Sequence, residues 1–285
     1  SLHYSSDNNT IVNNLVSQID SWMIIFDDSS GNIAYHNSFL DPVIEAYDNG
    51  LNYWSFGRQG NYWGDYEGQD KDGDGIGDVP YRITPNGTDS FPLISPKPIT
   101  FVPIPELEPA TPPVIMEPPG PRDVVITTEE TWKNSAVTID KITVMNGGTL
   151  TLENMTITIV ACGGGIGVGA GGSLYILNSK ITTADPNYGG YSLSAGNAKE
   201  FVMKNSEVHY AGFCFQTDFP GGLHVLATNA TIENNVFTHN YRAIWVSSML
   251  GWVQYPPFVT IANNTISYSY DGVVYDIGDV LGNSV

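Results

Sequence analysis

Asp70, Asp72 and Asp74 alternate along the chain, Gly75 follows, and Asp78 closes the run NYWGDYEGQDKDGDGIGDVPY (61–81). Alternation brings carboxylates to one side of a curling backbone, and Gly75 permits the sharp turn a hard cation needs. The Ile76 carbonyl can supply a further oxygen, and Asp65 is a candidate additional ligand. Such a donor set is all oxygen, which suits Ca2+. Four acids this close repel one another unless a cation sits among them. This is no EF-hand: the twelfth position counted from Asp70 is Tyr81, not an acid, and no helical pattern flanks the loop.

What positions that loop is a repeat. A short apolar-x-Asn-(Asn/Ser/Met)-x-apolar unit places Asn154, Asn178, Asn205, Asn234 and Asn263, at intervals of 24, 27, 29 and 29 residues. Before residue 92 the same unit places Asn13, Asn37 and Asn61, 24 residues apart. A period of this length demands a repeat architecture. The units are too short for propeller blades and lack the helical pattern of ankyrin or tetratricopeptide repeats. β-Branched runs turning at Asn and Gly predict an all-β, right-handed parallel β-helix, each coil advancing about 4.8 Å. Asn13, Asn37, Asn154, Asn178, Asn205, Asn234 and Asn263 are read as a structural ladder. Asn tolerates left-handed backbone angles, and stacked amides can bond one above another.

Proline divides the chain. Eleven of the 18 prolines lie between Pro92 and Pro121, a density that neither helix nor central strand tolerates. The expected organisation is the end of one β-helix over 1–91, closed by the Asp-rich loop, then a Pro-rich connector over 92–121. Residues 122–285 begin a second β-helix, an opening coil plus about five ladder coils. Both termini read as cut edges of a stack, which leaves two expectations: the chain is an excerpt of a longer array with adjacent β-helix domains, or it is a subunit whose Val285 edge receives the Ser1 edge of a neighbouring copy.

The run 61–81 resembles the segment that closes β-helix domains of the NosD-like family, which includes periplasmic copper-assembly proteins and archaeal surface proteins with tandem β-helices. TWKNSAVTIDKITVMNGGTLTLENMTI (131–157) resembles the opening coil of such domains. The resemblance implies calcium ligation at Asp70, Asp72, Asp74 and Asp78, and domain closure at Tyr62, Trp63 and Tyr66. Copper handling does not carry over. His3, His36, His209, His224 and His239 are scattered, and the six methionines form no cluster of soft ligands.

Parallel β-helices also host polysaccharide lyases and hydrolases, so a carbohydrate-binding or polysaccharide-cleaving protein is the alternative reading. Lyases need cations to neutralise uronate carboxylates, and beyond the connector Arg122, Lys133, Lys141, Lys180, Lys199, Lys204 and Arg242 show no cluster at coil spacing. A carboxylate pair such as Glu207 and Glu233, or a mixed patch of His209, Tyr210, His239, Tyr241 and Arg242, keeps a hydrolytic site open. No catalytic residue is assigned. Gly167 to Gly172 formally satisfies G-x-G-x-x-G, but a strand pattern follows it, so a corner loop is expected and not a nucleotide cradle. Cys162 and Cys214 fall two coils apart, about 9.6 Å, too far for a disulfide, and are expected as buried thiols. Among the Asn-x-Ser/Thr triplets, Asn8, Asn86 and Asn229 are the glycosylation candidates.

Eleven Lys+Arg against 30 Asp+Glu give a net charge of -19. That excludes nucleic acid and anionic lipid as partners, since affinity for phosphate comes from clustered cations. The uncharged stretch 154–179 alternates instead of running apolar throughout, so no membrane insertion is expected. The expected protein is an extracellular, cell-surface structural subunit of a surface layer, sheath or filament, built of calcium-stabilised β-helices. Its expected partners are copies of itself and cell-surface glycans.

Overall fold

Most repeats fold as one coil of three short parallel strands, seen in the computed structural model of the chain, while Glu129–Ile139 and Thr149–Ile159 run unbroken through their Asn corners. The structure describes residues 7–43, 45–97, 123–160, 163–186, 190–212, 222–226, 229–247 and 258–276. In the coil of Asn178 the strands are Ser173–Leu177 before the Asn corner, Lys180–Thr183 after it, and Ser192–Gly196 on the third face. Strict alternation makes this possible: in Ser173–Leu177, Leu174 and Ile176 are buried and Tyr175 faces out. Each strand pairs in parallel with its equivalent one coil away, so each inward residue stacks on its equivalent. One column runs Leu152, Ile176, Met203, Ile232, Ile261, Ile11, Ala34. Another runs Ile157, Ile181, Val208, Phe237, Ile266, Val16, Phe39, Trp63. Each such aliphatic side chain contributes about 1.5–3 kcal/mol through burial.

Both columns pass from the 260s straight to the teens. The two segments, expected to belong to two helices, form one. Thr10–Val12 pairs with Val259–Ala262, Leu15–Ser17 with Thr265–Ser267, and Ile24–Phe26 with Asp271–Asp276, all in parallel. The edge expected to receive a neighbouring copy is thus met by residues 10–26 of the same chain. Sequence periodicity fixes the step within a segment but carries no information about which segment ends meet.

The asparagine reading shifts by one residue. Asn13, Asn154, Asn178, Asn205, Asn234 and Asn263 occupy left-handed corners, with φ between 49° and 58°. Amides also touch in this outer column, Asn154 Nδ2 donating to Asn134 Oδ1 at 2.9 Å and Asn205 Nδ2 to Asn178 Oδ1 at 3.3 Å. The buried ladder is the next residue along. Backbone N–H groups donate to the following coil's side-chain oxygen in an unbroken series, Met155 to Ser179, Ser179 to Ser206, Ser206 to Asn235 and Asn235 to Asn264. The series continues from Asn264 to Asn14, Asn14 to Asn37, Asn37 to Asn61, and Asn61 to the carboxylate of Asp89. Asn37 belongs to this inner column, and His36 takes its left-handed corner at φ 57°.

The Gly-rich run belongs to the coil. Gly165–Val168 is a strand of the third face, and the expected corner follows it as a tight turn over 169–172, Gly172 N donating to Gly169 O at 3.1 Å. A Cβ on Gly165 would lie 1.9 Å from the Ser192 carbonyl, which is why this strand starts with glycine. Pro92 and Leu93 are not connector: both are buried, and Leu93 bridges Tyr62 and Ile76. The rest of the proline-rich stretch from residue 98, and both cysteines, lie outside the described residues.

Asn264 is fully buried. Its Nδ2 donates to Asn14 Oδ1 (3.0 Å) and Ile232 O (2.9 Å), and its Oδ1 accepts from Asn235 N and Nδ2. Asn264→Ala strands several of these partners, so urea unfolding should show a loss of about 2–4 kcal/mol. The same change at exposed Asn146 should cost under about 1 kcal/mol.

Candidate functional site

The closing end is built from aromatic rings seated on buried carboxylates. Trp63 is 1% exposed, stacks on Phe39 at 4.7 Å and on Tyr81 at 4.3 Å, and donates its indole N–H to Asp89 Oδ2 at 3.0 Å. Trp54 donates to Asp48 Oδ2 at 2.7 Å. A buried indole must find an acceptor, and a carboxylate is the strongest available. Asp89 also accepts the ladder N–H of Asn61 and, through Oδ1, that of Phe91. It ends the ladder because an ionised carboxylate only accepts and needs no donor site beyond it. Burial pushes its carboxyl above the usual carboxylate range, and the N–H donors of Asn61, Trp63 and Phe91 pull the other way.

From this cap the Asp-rich loop hangs on Tyr66. The Tyr66 hydroxyl donates to Val79 O at 2.6 Å, and its ring lies against Gly68 and Gly77, where any Cβ would sit 2.0 Å from the hydroxyl oxygen. Those glycines, spaced nine residues apart around the acids, are therefore required by one ring. The far side of the loop pairs with the segment after Asp89: Gly77 N donates to Pro92 O and Ile94 N to Gly75 O.

Within the loop the structure brings Asp70, Asp72 and Asp74 together, one carboxylate oxygen of each lying within 4.8 Å of the others. Asp70 accepts from Gly73 N (2.7 Å), Gly75 N (2.9 Å) and Asp74 N (3.2 Å), and these bonds, Gly75 foremost, lower its carboxyl below the usual range. Asp72 accepts from Asp74 N, and Asp74 from Ile76 N. Ile76 faces Leu93 with neither its N–H nor its C=O, because the flanking Gly75 and Gly77 make the cross-strand bonds. Its carbonyl, parallel to that N–H in an extended residue, lies on the acidic side. Asp78 Oδ2 holds Lys71 N at 3.1 Å, and Asp65 accepts from the Tyr81 hydroxyl at 3.2 Å, so neither joins the triad as the residues stand. Arg58, which the sequence pattern did not single out, pairs with Asp74 at 2.9 Å across the exposed surface.

The other constellations are spent on their own neighbours. Glu207 is held by His209 (2.8 Å) and Lys180 (3.7 Å), and Glu233 by Lys204 (2.9 Å). The two acids lie on successive coils, each tied to a different cation, and do not face each other across a groove. His209 further bonds Thr238 Oγ1 at 2.6 Å, a Thr-His-Glu string. The strand that carries this string is paired in the parallel ladder on both sides, with Lys180–Thr183 and with Val236–Thr238. Tyr210, His239 and Tyr268 stack at 5.0 Å on three successive coils, and Tyr241 stacks on Tyr270 at 5.0 Å. Rings stacked on each other present edges outward, whereas a sugar needs an open face. Arg242 pairs with Asp271 at 3.2 Å and lies over Trp245. Of the glycosylation candidates, Asn8, Asn86 and Asn229 are all exposed, with Asn86 Nδ2 donating to Asn49 O.

Residues 131–285 match the family model described as right handed beta helix region, and residues 2–68 match that of periplasmic copper-binding protein (NosD). No curated protein and no solved structure matches the chain. Copper prefers nitrogen and sulfur donors, whereas the one cluster of potential metal ligands among the described residues is all carboxylate.

His224 is stacked on Trp245 at 3.9 Å with its Nε2 on Ser247 Oγ at 2.6 Å; burial, with Arg242 second, pushes its pKa down to about 4 from 6.5. The unfolded chain therefore binds a proton between pH 6.5 and 4 that the folded chain refuses, and stability falls as pH falls through that window. Urea titrations from pH 7 to 4 should show a loss from this group of up to about 3 kcal/mol, absent in His224→Phe.

Proposed function

The chain belongs to the right-handed β-helix family, and from that premise we propose that it is a non-enzymatic, extracytoplasmic scaffold whose stack is closed by a calcium-binding loop. The observation carrying this reading is that the side chains able to do chemistry are paired along the helix axis, coil to coil. Lys180–Glu207, Lys204–Glu233, Arg242–Asp271 and the Tyr210–His239–Tyr268 stack are all such pairings. A polysaccharide-cleaving surface would instead hold its charges free for a ligand lying across the coils. Low charge density and a net charge of -19 suit an exposed surface on the cell exterior, where millimolar calcium is available to an all-oxygen site. Exposed Asn8, Asn86 and Asn229 are sites for glycans in that setting.

Asp70, Asp72 and Asp74, with the Ile76 carbonyl, would hold the ion, and Asp65 or Asp78 would join after releasing Tyr81 or Lys71. The ion's part is to neutralise the acids, fixing the loop against Tyr66 and so sealing the Trp63 cap. Arg58 makes the same neutralisation in part for Asp74, and such an exposed pair is worth under about 1 kcal/mol.

Calorimetric titration with Ca2+ should give one site. At a hundredfold excess over Kd, calcium should stabilise the protein by about 2.7 kcal/mol. Asp72→Asn/Asp74→Asn should weaken binding at least tenfold, and Cu2+ should not compete. Absence of both heat and thermal shift contradicts the calcium assignment. Release of oligosaccharides from polyuronates or neutral glycans contradicts the scaffold reading.

A further inference from the structure

In a solenoid the chain itself normally carries each coil into the next. At one step of this stack it does not. The coil of Asn264 is followed in space by the coil of Asn14, 250 residues away in sequence, and the two are joined covalently only through residues 98–122. The joint has the full complement of a normal step. The ladder crosses it at 2.9 Å (Asn264 N to Asn14 Oδ1), and the backbone crosses it through Leu15 N to Asn264 O (2.8 Å) and Asn263 N to Val12 O (3.1 Å). Ile261, Ile266 and Val273 pack on Ile11, Val16 and Ile24, each 1% exposed or less.

We propose that this joint is an interface that a second copy of the chain can make, its residues 7–97 seated on the Val259–Asp276 edge of the first in the same register. Nothing in the joint distinguishes the two sources, because the bonds and pairings that cross it join residues 9–26 to residues 259–276, Val259 N to Asn9 Oδ1 at 2.8 Å among them. What favours the same chain is only the tether. From Lys97, bonded to Ser38, to the opening strand at Asp123 the axial path is eight coils, about 38 Å. The 26 peptide steps between them reach about 80 Å when extended, so the connector is long enough to close the stack without fixing it. A tether of this kind amounts to an effective concentration in the millimolar range, which crowding of identical subunits on a surface can match. The joint is heterologous, so exchange in pairs gives closed dimers and continued exchange gives open head-to-tail polymers. The inference rests on the register at the joint and is independent of the calcium and scaffold readings.

Thr10 and Thr260 are directly paired across the joint, at the roughly 4.8 Å spacing a disulfide can bridge. In a Cys162→Ser/Cys214→Ser background, chains carrying only Thr10→Cys are mixed with differently tagged chains carrying only Thr260→Cys. They are passed through mild denaturant and oxidised, or treated with a short bis-maleimide. A covalent heterodimer is expected, its fraction rising at least tenfold between about 1 μM and 1 mM. The doubly substituted single chain is the control for the joint itself. If it cross-links internally while the mixture gives no heterodimer at any concentration, the joint closes only within one chain and the proposal is overturned. If neither cross-links, the register is wrong and the proposal falls with it.

Discussion

The stack depends on one interaction, the buried series of backbone N–H groups donating to side-chain oxygens one coil on, from Met155 to Asp89. A parallel β-helix satisfies its strand N–H and C=O groups automatically, but at each corner the chain turns and its polar groups lose their partners. A buried orphan of that kind costs about 1–3 kcal/mol. Ser179, Ser206, Asn235, Asn264, Asn14, Asn37 and Asn61 remove that cost at successive corners by presenting an oxygen inward. Asn does more than Ser, since its Nδ2 also reaches the next amide and a carbonyl of a preceding coil. The series has a direction and so needs an end, which Asp89 supplies with the Trp63 indole on the same oxygen. Ladder, aromatic cap and acidic loop are one construction.

Much of this was legible in the residues. The interval between Asn doublets specified a solenoid, and the density of acids and glycines after Trp63 marked the closure. What sequence blurred is the offset between two adjacent columns with different demands. In IVNN, IENN and IANN both positions are Asn, so the corner that needs a left-handed residue looks like the rung that needs a buried amide. ILNS, MKNS and YHNS separate them: Ser fills the rung in the first two, and His36 the corner in the third. At Asn154 the rung is Met155, buried and able only to donate its backbone N–H, which is where the ladder begins.

The acidic loop was legible in its Asp70, Asp72 and Asp74 core but not at its margins. Asp65 and Asp78 sit at ligand-like spacing, yet their partners are Tyr81 and Lys71 N, groups that approach through the fold and not through the motif. Asp48 and Asp89 escaped notice for the converse reason: neither lies in an acidic run, and only a buried tryptophan wanting an acceptor points to them. On the outer faces, charge and aromatic patterns that resembled a binding surface are accounted for by identical positions meeting one coil apart.

The unity of the two segments is the claim on which the rest stands, and cutting the connector tests it most directly. A specific protease site placed within residues 98–122 would sever the only covalent link across the joint. If Asn264 and Asn14 hold the stack together as described, the fragments will co-elute as one particle after cleavage and melt in a single transition. Fragments that separate on dilution, or melt as two independent units, would contradict a continuous helix.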